Sequence, residues 1–198
     1  MNIVFDLGGV VFKWQPENII KSVFDDDQAK IIVRREIFEH PDWLALDRGT
    51  LDYEQAITRG ADRTGFSPNT IRHLLEQVPQ HLTPIDGSFD LIAALAEKQM
   101  PLYVLSNMHF ASIAHLESKH DIWHLFAGKV ISCRIKKMKP NLDIFHHLLE
   151  SFDLAPDETV FIDDTQVNLS AAATLGIKTI KFQDAKQCRE SLTQLGCV

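Results

Sequence analysis

The 198-residue chain predicts an α/β fold, a central parallel sheet covered on both faces by helices, with a small all-helical domain set in after the first strand. Three observations predict it. Four short apolar runs rich in β-branched residues read as buried strands, at residues 3–5, 102–105, 160–162 and 179–182. Helix-period segments lie between the later runs, and alternating strands and helices imply a parallel sheet with right-handed crossovers. Residues from about 16 to 81 break that rhythm, running helix after helix with no convincing strand.

Along the chain, residues 3–5 form the first strand. Helices are expected over 28–38, 53–63 and 69–78, separated by the turn signals His40-Pro41, Arg48-Gly49 and Phe66-Ser67-Pro68, and Leu82-Thr83-Pro84 closes the stretch. Thr50 reads as the cap of an acid-rich first turn that contains Asp52; Ser67-Pro68 puts Pro at a helix's first position. The second strand, 102–105, is followed by a helix over 110–120. A weaker strand at 129–132 precedes a helix over 141–152. The strand at 160–162 leads into a helix over 167–175, and the strand at 179–182 into one over 186–195. The predicted domains are therefore a core of residues 1–13 and 84–198, and a helical domain of residues 14–83.

A net charge of −7 argues against a nucleic-acid partner, whose phosphates call for a basic face, but leaves room for a small anionic substrate held by local cations. No apolar run approaches a membrane span, and the N-terminal run has no preceding Lys or Arg and is interrupted by Asp6, so neither membrane anchoring nor secretion is expected. Cys133, Cys188 and Cys197 show no metal-type spacing and read as reduced thiols, which places the protein in the cytoplasm. Composition leaves monomer and homodimer open.

In an open parallel sheet, ligands bind beyond the carboxyl ends of the strands. Four polar features stand there. Asp6 is followed by Leu7-Gly8-Gly9, whose glycines let backbone approach an anion or metal; a turn with an Asp cap explains the same residues. Ser106-Asn107 offers a hydroxyl and an amide for phosphate oxygens, or a helix cap. Lys139 differs from a solvated lysine because Pro140 at a helix start would orient it, making a point cation for phosphoryl charge. Asp163-Asp164 are adjacent carboxylates that raise each other's pKa unless a cation intervenes, and hard oxygen-seeking Mg²⁺ fits them.

Taken in order, Asp6 in FDLGGV, Ser106-Asn107 in VLSN, Lys139 in MKP and Asp163-Asp164 in FIDDTQVN resemble the motifs of the haloacid dehalogenase-like (HAD) hydrolase superfamily. The resemblance covers residues 1–13 and roughly 85–185, and the helical stretch lies where capped members carry their cap. It implies a Rossmann-like three-layer core and a Mg²⁺-dependent phosphatase acting on a small phosphorylated metabolite. Asp6 would be the nucleophile, forming an aspartyl phosphate that water hydrolyses. Asp6, the Gly8 carbonyl and Asp164 would hold Mg²⁺, with Asp163 nearby; Ser106, Asn107 and Lys139 would complete the cradle around the phosphoryl group. Asn168, where many relatives carry an acid, is expected behind the site.

One position departs from the pattern. Family phosphatases commonly carry an acid–base Asp two residues after the nucleophile, where this chain has Gly8. Such help is typically worth about 10²–10⁴-fold in rate. Its loss points to substrates with good leaving groups, such as sugar-1-phosphates, or to a proton from water or another side chain. His109 is the nearest candidate in sequence, although a helix-surface histidine explains it. A haloacid dehalogenase, needing no leaving-group proton, and a non-catalytic phospho-ligand binder are the alternatives. Asp163-Asp164 favours phosphatase, because a carboxylate pair repels a haloacid. Trp14 and Trp43, at the entry to the helical stretch and within it, read as packing.

Overall fold

The structure, a computed structural model, describes residues 1–197. Five parallel strands form one sheet in the order β3-β2-β1-β4-β5: β1 (Asn2–Phe5), β2 (Leu102–Ser106), β3 (Gly128–Ile131), β4 (Thr159–Asp163) and β5 (Lys178–Lys181). The first strand lies at the centre, its Phe5 opposite Val104 of β2 and Ile162 of β4. That register brings the carboxyl ends of β1, β2 and β4, and the residues just after them, to one edge.

Strand alternation sorts the side chains. Ile3, Phe5, Leu102, Val104, Val160 and Ile162 face one core, shared with α6 (Ser88–Glu97), α7 (Phe110–Lys119) and α11 (Ala185–Gln194). Val4, Tyr103, Leu105 and Phe161 face the other, closed by α9 (Leu142–Phe152) and α10 (Gln166–Thr174). Central strands apolar on both faces are what a doubly covered parallel sheet requires. This is the Rossmann-like three-layer arrangement expected. Among the described residues, no helix is long and apolar enough to cross a membrane.

Between β1 and α6 the chain makes α1 (Pro16–Val23), α2 (Asp27–Val33), α3 (Pro41–Arg48), α4 (Tyr53–Thr64) and α5 (Pro68–His81), which share a separate apolar core including Ile20, Val33, Trp43, Ile57, Leu74 and Val78. The chain enters and leaves this segment side by side: Lys13 N–H donates to Thr83 O at 2.8 Å and Ile85 N–H to Val11 O at 2.9 Å.

Local chemistry departs from expectation in three places. The helix expected over 28–38 is α2 followed by a single wider π turn, Arg34–Phe38, where the Arg63 guanidinium donates twice to Glu36 O, at 3.1 and 3.0 Å. The cap of α4 is Asp52, which accepts from Gln55 N–H at 2.8 Å, whereas the Thr50 hydroxyl turns back to Ala45 O; the carboxylate is the stronger acceptor. Pro140 does not open a helix, because α9 begins at Leu142 after Asn141. Ser67 does cap α5, accepting from Thr70 N–H at 3.1 Å with Pro68 at the first position.

Candidate active site

β1 ends one residue before Asp6, which is almost fully buried. Its Oδ1 accepts from the Leu7 backbone N–H at 2.7 Å, and its Oδ2 lies 2.8 Å from Lys139 Nζ. The same Nζ donates to Asp163 Oδ2 at 2.7 Å, so one buried ammonium joins the acids after β1 and at the end of β4. Asp163 is saturated: Oδ1 accepts from Thr165 N–H at 2.7 Å, and the Asn168 amide donates to both oxygens at 3.2 and 3.0 Å. Asn168 thus holds an acid in place, and it also lines the cavity.

Asn107 holds Lys139 in place through the lysine's backbone. The Lys139 N–H donates to Asn107 Oδ1 at 2.9 Å, while Asn107 Nδ2 donates to Lys139 O at 2.9 Å. This two-point clamp uses the side-chain amide that sequence reasoning assigned to phosphate. The Ser106 hydroxyl, by contrast, is fully buried at the end of β2 beside the Asp6 carboxyl, whose charged form it favours.

Charge explains the titration of the cluster. Burial pushes the Asp6 carboxyl up to about 7; Lys139 opposes that rise and Asp163 adds to it. Burial alone would lower the Lys139 ammonium, but Asp6 and Asp163 outweigh it and hold it above the ordinary lysine value. Asp164 is raised by burial and by the neighbouring Asp163.

Three carboxylates therefore gather around one ammonium, which pairs with two of them, Asp6 and Asp163. Ligand oxygens of Asp6, Asp163 and Asp164 all lie within 4.8 Å of one another, an oxygen-only, net-negative donor set that suits a hard divalent cation. With Asp163 committed to Lys139, Asn168 and Thr165, the available oxygens are those of Asp6 and Asp164. Gly9 makes the approach possible: its φ is +77°, and a Cβ there would fall on the Asp164 carboxylate. Gly8 lines the same cavity, and with no side chain it brings no proton-transfer group.

His109 is not on a helix surface. It is buried at the start of α7, its Nε2 is 3.0 Å from Ser112 Oγ, and its ring meets Trp43 edge-on at 5.6 Å. Burial lowers it to about 4, so it is neutral near pH 7 and has no proton in reserve.

Asp47, on α3, was not singled out from sequence. It lines the cavity with Asp6, and burial pushes its carboxyl up to about 7, against hydrogen bonds from the His109 backbone and the Trp43 side chain and with help from the Asp6 charge. Its backbone oxygen accepts from Ser132 Oγ at 2.5 Å, and that hydroxyl accepts from Met108 N–H at 2.9 Å, so Ser132 ties α3 to the loop after β2. One sign was readable: Asp47 stands four residues after Trp43, on the same helix face.

A family model described as haloacid dehalogenase-like hydrolase matches residues 48–182, more than half of the chain. The chain belongs to the haloacid dehalogenase-like hydrolase family. Its relatives include a sesquiterpene phosphatase of Aspergillus oryzae, 26% identical over 98% of this chain and 96% of that one. A D-ribitol-5-phosphate phosphatase of Bacteroides thetaiotaomicron is 24% identical over 97% and 96%. A HAD family enzyme of the latter organism, solved in complex with magnesium and inorganic phosphate, shares the fold with a TM-score of 0.74, 24% identity and coverage of 92% and 94%. The dyad of Asp6 with Lys139 thus sits in a hydrolase of this family.

Proposed function

We propose that the protein is a Mg²⁺-dependent phosphatase that hydrolyses a small phosphomonoester through an aspartyl phosphate on Asp6. One observation carries the reading: at one cavity floor, the buried Asp6 is locked to Lys139 beside a second, accessible acid, Asp164, with oxygens of Asp6, Asp163 and Asp164 within 4.8 Å of one another. The two phosphatases among the relatives, one acting on a sugar-alcohol phosphate, support it, and a sugar phosphate is within the class. Residues 14–83 are proposed as a cap over a core of residues 1–13 and 84–198. The cysteines, buried and free of disulfides, suit a cytoplasmic site of action.

Mg²⁺, held by Asp6, the Gly8 carbonyl and Asp164 with Asp163 behind them, would offset the repulsion between the Asp6 carboxylate and a phosphate dianion. The chain supplies the rest. Lys139 and Ser106 hold the phosphoryl oxygens, and Asn107 keeps Lys139 aimed. The Asp6 carboxylate attacks phosphorus, the bond to the alcohol oxygen breaks, and that oxygen takes its proton from water because Gly8 has none to give. Water then attacks the same phosphorus, the bond to Asp6 breaks, and inorganic phosphate leaves with Asp6 restored. The rate should fall steeply as the leaving oxygen becomes more basic. Gly8 alone favours the dehalogenase reading, and the acids around the nucleophile weigh against it.

The test is phosphate release from a panel of phosphomonoesters with and without Mg²⁺, with chloroacetate as a control. Release should require Mg²⁺ and fall by at least about 10³-fold in Asp6→Asn, with the circular dichroism spectrum kept. Halide release without metal, or an Asp6→Asn variant as fast as the parent, overturns the proposal.

A further inference from the structure

The cavity above Asp6 encloses about 700 Å³, far more than a phosphate group needs, so its walls bear on the rest of the substrate. One wall of the cavity is aromatic. Trp14 stacks on Trp43 with centroids 5.5 Å apart and planes at 27°, and Phe38 lies 4.9 Å from Trp43 and 6.2 Å from Trp14. Trp14 stands next to the nucleophile loop, its Cβ 3.8 Å from where a Cβ on Gly8 would be.

These side chains are partly bare. Of the seven large apolar residues that stand exposed among the described residues, three line this cavity: Trp14, Leu44 and Val167, at 37%, 53% and 56% exposure. Large apolar groups gathered in a concavity are stabilised when an apolar surface displaces the water over them. Three charged groups of the rim are turned on one another: Arg34 pairs with Glu17, and its Nη1 lies 3.8 Å from Glu39. A polyol would need several free donors and acceptors on this wall, and these three are engaged.

We propose that the phosphomonoester carries a large apolar body, a fused aromatic ring or an isoprenoid chain and not a polyol, laid against the Trp14–Trp43 stack. The inference rests on the phosphatase reading of the same site. For an aromatic body, the weakly basic phenolate leaving oxygen also suits a site whose Gly8 brings no proton.

The test compares kcat/KM, with Mg²⁺, within two pairs matched in leaving oxygen: farnesyl monophosphate against glucose 6-phosphate, and 1-naphthyl phosphate against phenyl phosphate. Acetyl phosphate, which has almost no body, is the reference. Each first member should be preferred by at least about tenfold, mostly through KM, and Trp14→Ala should shrink the preferences at least about fivefold. The pair with the larger preference identifies the isoprenoid or the aromatic source. Smaller preferences while acetyl phosphate is still hydrolysed overturn this inference and leave the phosphatase reading standing. Preferences untouched by Trp14→Ala overturn the placement on the stack. Failure to hydrolyse anything, acetyl phosphate included, overturns the phosphatase reading itself.

Discussion

At the floor of the cavity, Asp6, Lys139 and Asp163 are buried against one another. Lys139 binds Asp6 and Asp163, Asn168 binds Asp163, and Asn107 clamps the Lys139 backbone from both sides. On the aromatic wall, Trp14 meets Phe38, Trp14 and Leu44 stand exposed, and Arg34, Glu17 and Glu39 pair along the rim. The floor is built where strands stop, because a strand end delivers a side chain and a backbone group to a fixed point. The wall comes from helices with a core of their own, tied to the sheet by two adjacent crossings and by Ser132. Fixed buried charge and exposed apolar surface thus occupy parts of the chain with different degrees of constraint.

The largest expected effect that sharpens this contrast is at Lys139. Lys139→Met leaves Asp6 and Asp163 buried without their cation and should cost about 3–5 kcal/mol of stability, seen as a fall in urea midpoint at pH 8. A loss of activity with unchanged stability would mean that the floor is not held by this pair. Next is Gly9→Ala. The residue has φ of +77° and its Cβ would strike Asp164, so a cost of about 1–3 kcal/mol is expected, together with weaker Mg²⁺ binding by isothermal titration. Unaltered Mg²⁺ affinity would remove Asp164 from the proposed ligand set.

The smallest effect is a change of slope and concerns the wall. Asp47, raised from 3.8 to about 7, binds more protons folded than unfolded between those values. The stability it contributes is fully present below about pH 4 and is lost as pH rises through 7. Asp6 is raised in the same direction and adds to the slope of the metal-free protein. Asp47→Asn should therefore flatten stability against pH between about 4 and 7 without abolishing it, in urea melts with EDTA present. An unchanged slope would mean that the Asp47 carboxyl is wetter than its place in the cavity suggests.

Much of the floor was legible because strand ends are marked twice, by an apolar run and by the polar residue that stops it. Asp6, Ser106 and Asp163-Asp164 all carry that mark. Lys139 was found for an incomplete reason: what aims it is the Asn107 amide, 32 residues away in sequence, a contact that local pattern does not encode. His109 read as a surface residue because a lone histidine at a helix start gives no sign of depth; its burial comes from Trp43, contributed by a separate helix. Trp14 read as packing, and it packs, yet it also faces the cavity, since stacking on Trp43 leaves part of the ring uncovered.

By itself, the amino-acid sequence determined the layered α/β core, the helical stretch between its first two strands and the polar residues at the strand ends, because periodicity and chain termination act over a few neighbouring residues. The tertiary structure alone decided that Lys139 bridges two acids, that Asn107 serves Lys139, that Asp47 lines the cavity with Asp6 and that one wall of the cavity is aromatic. Each of these joins segments far apart in sequence, and only packing sets such distances.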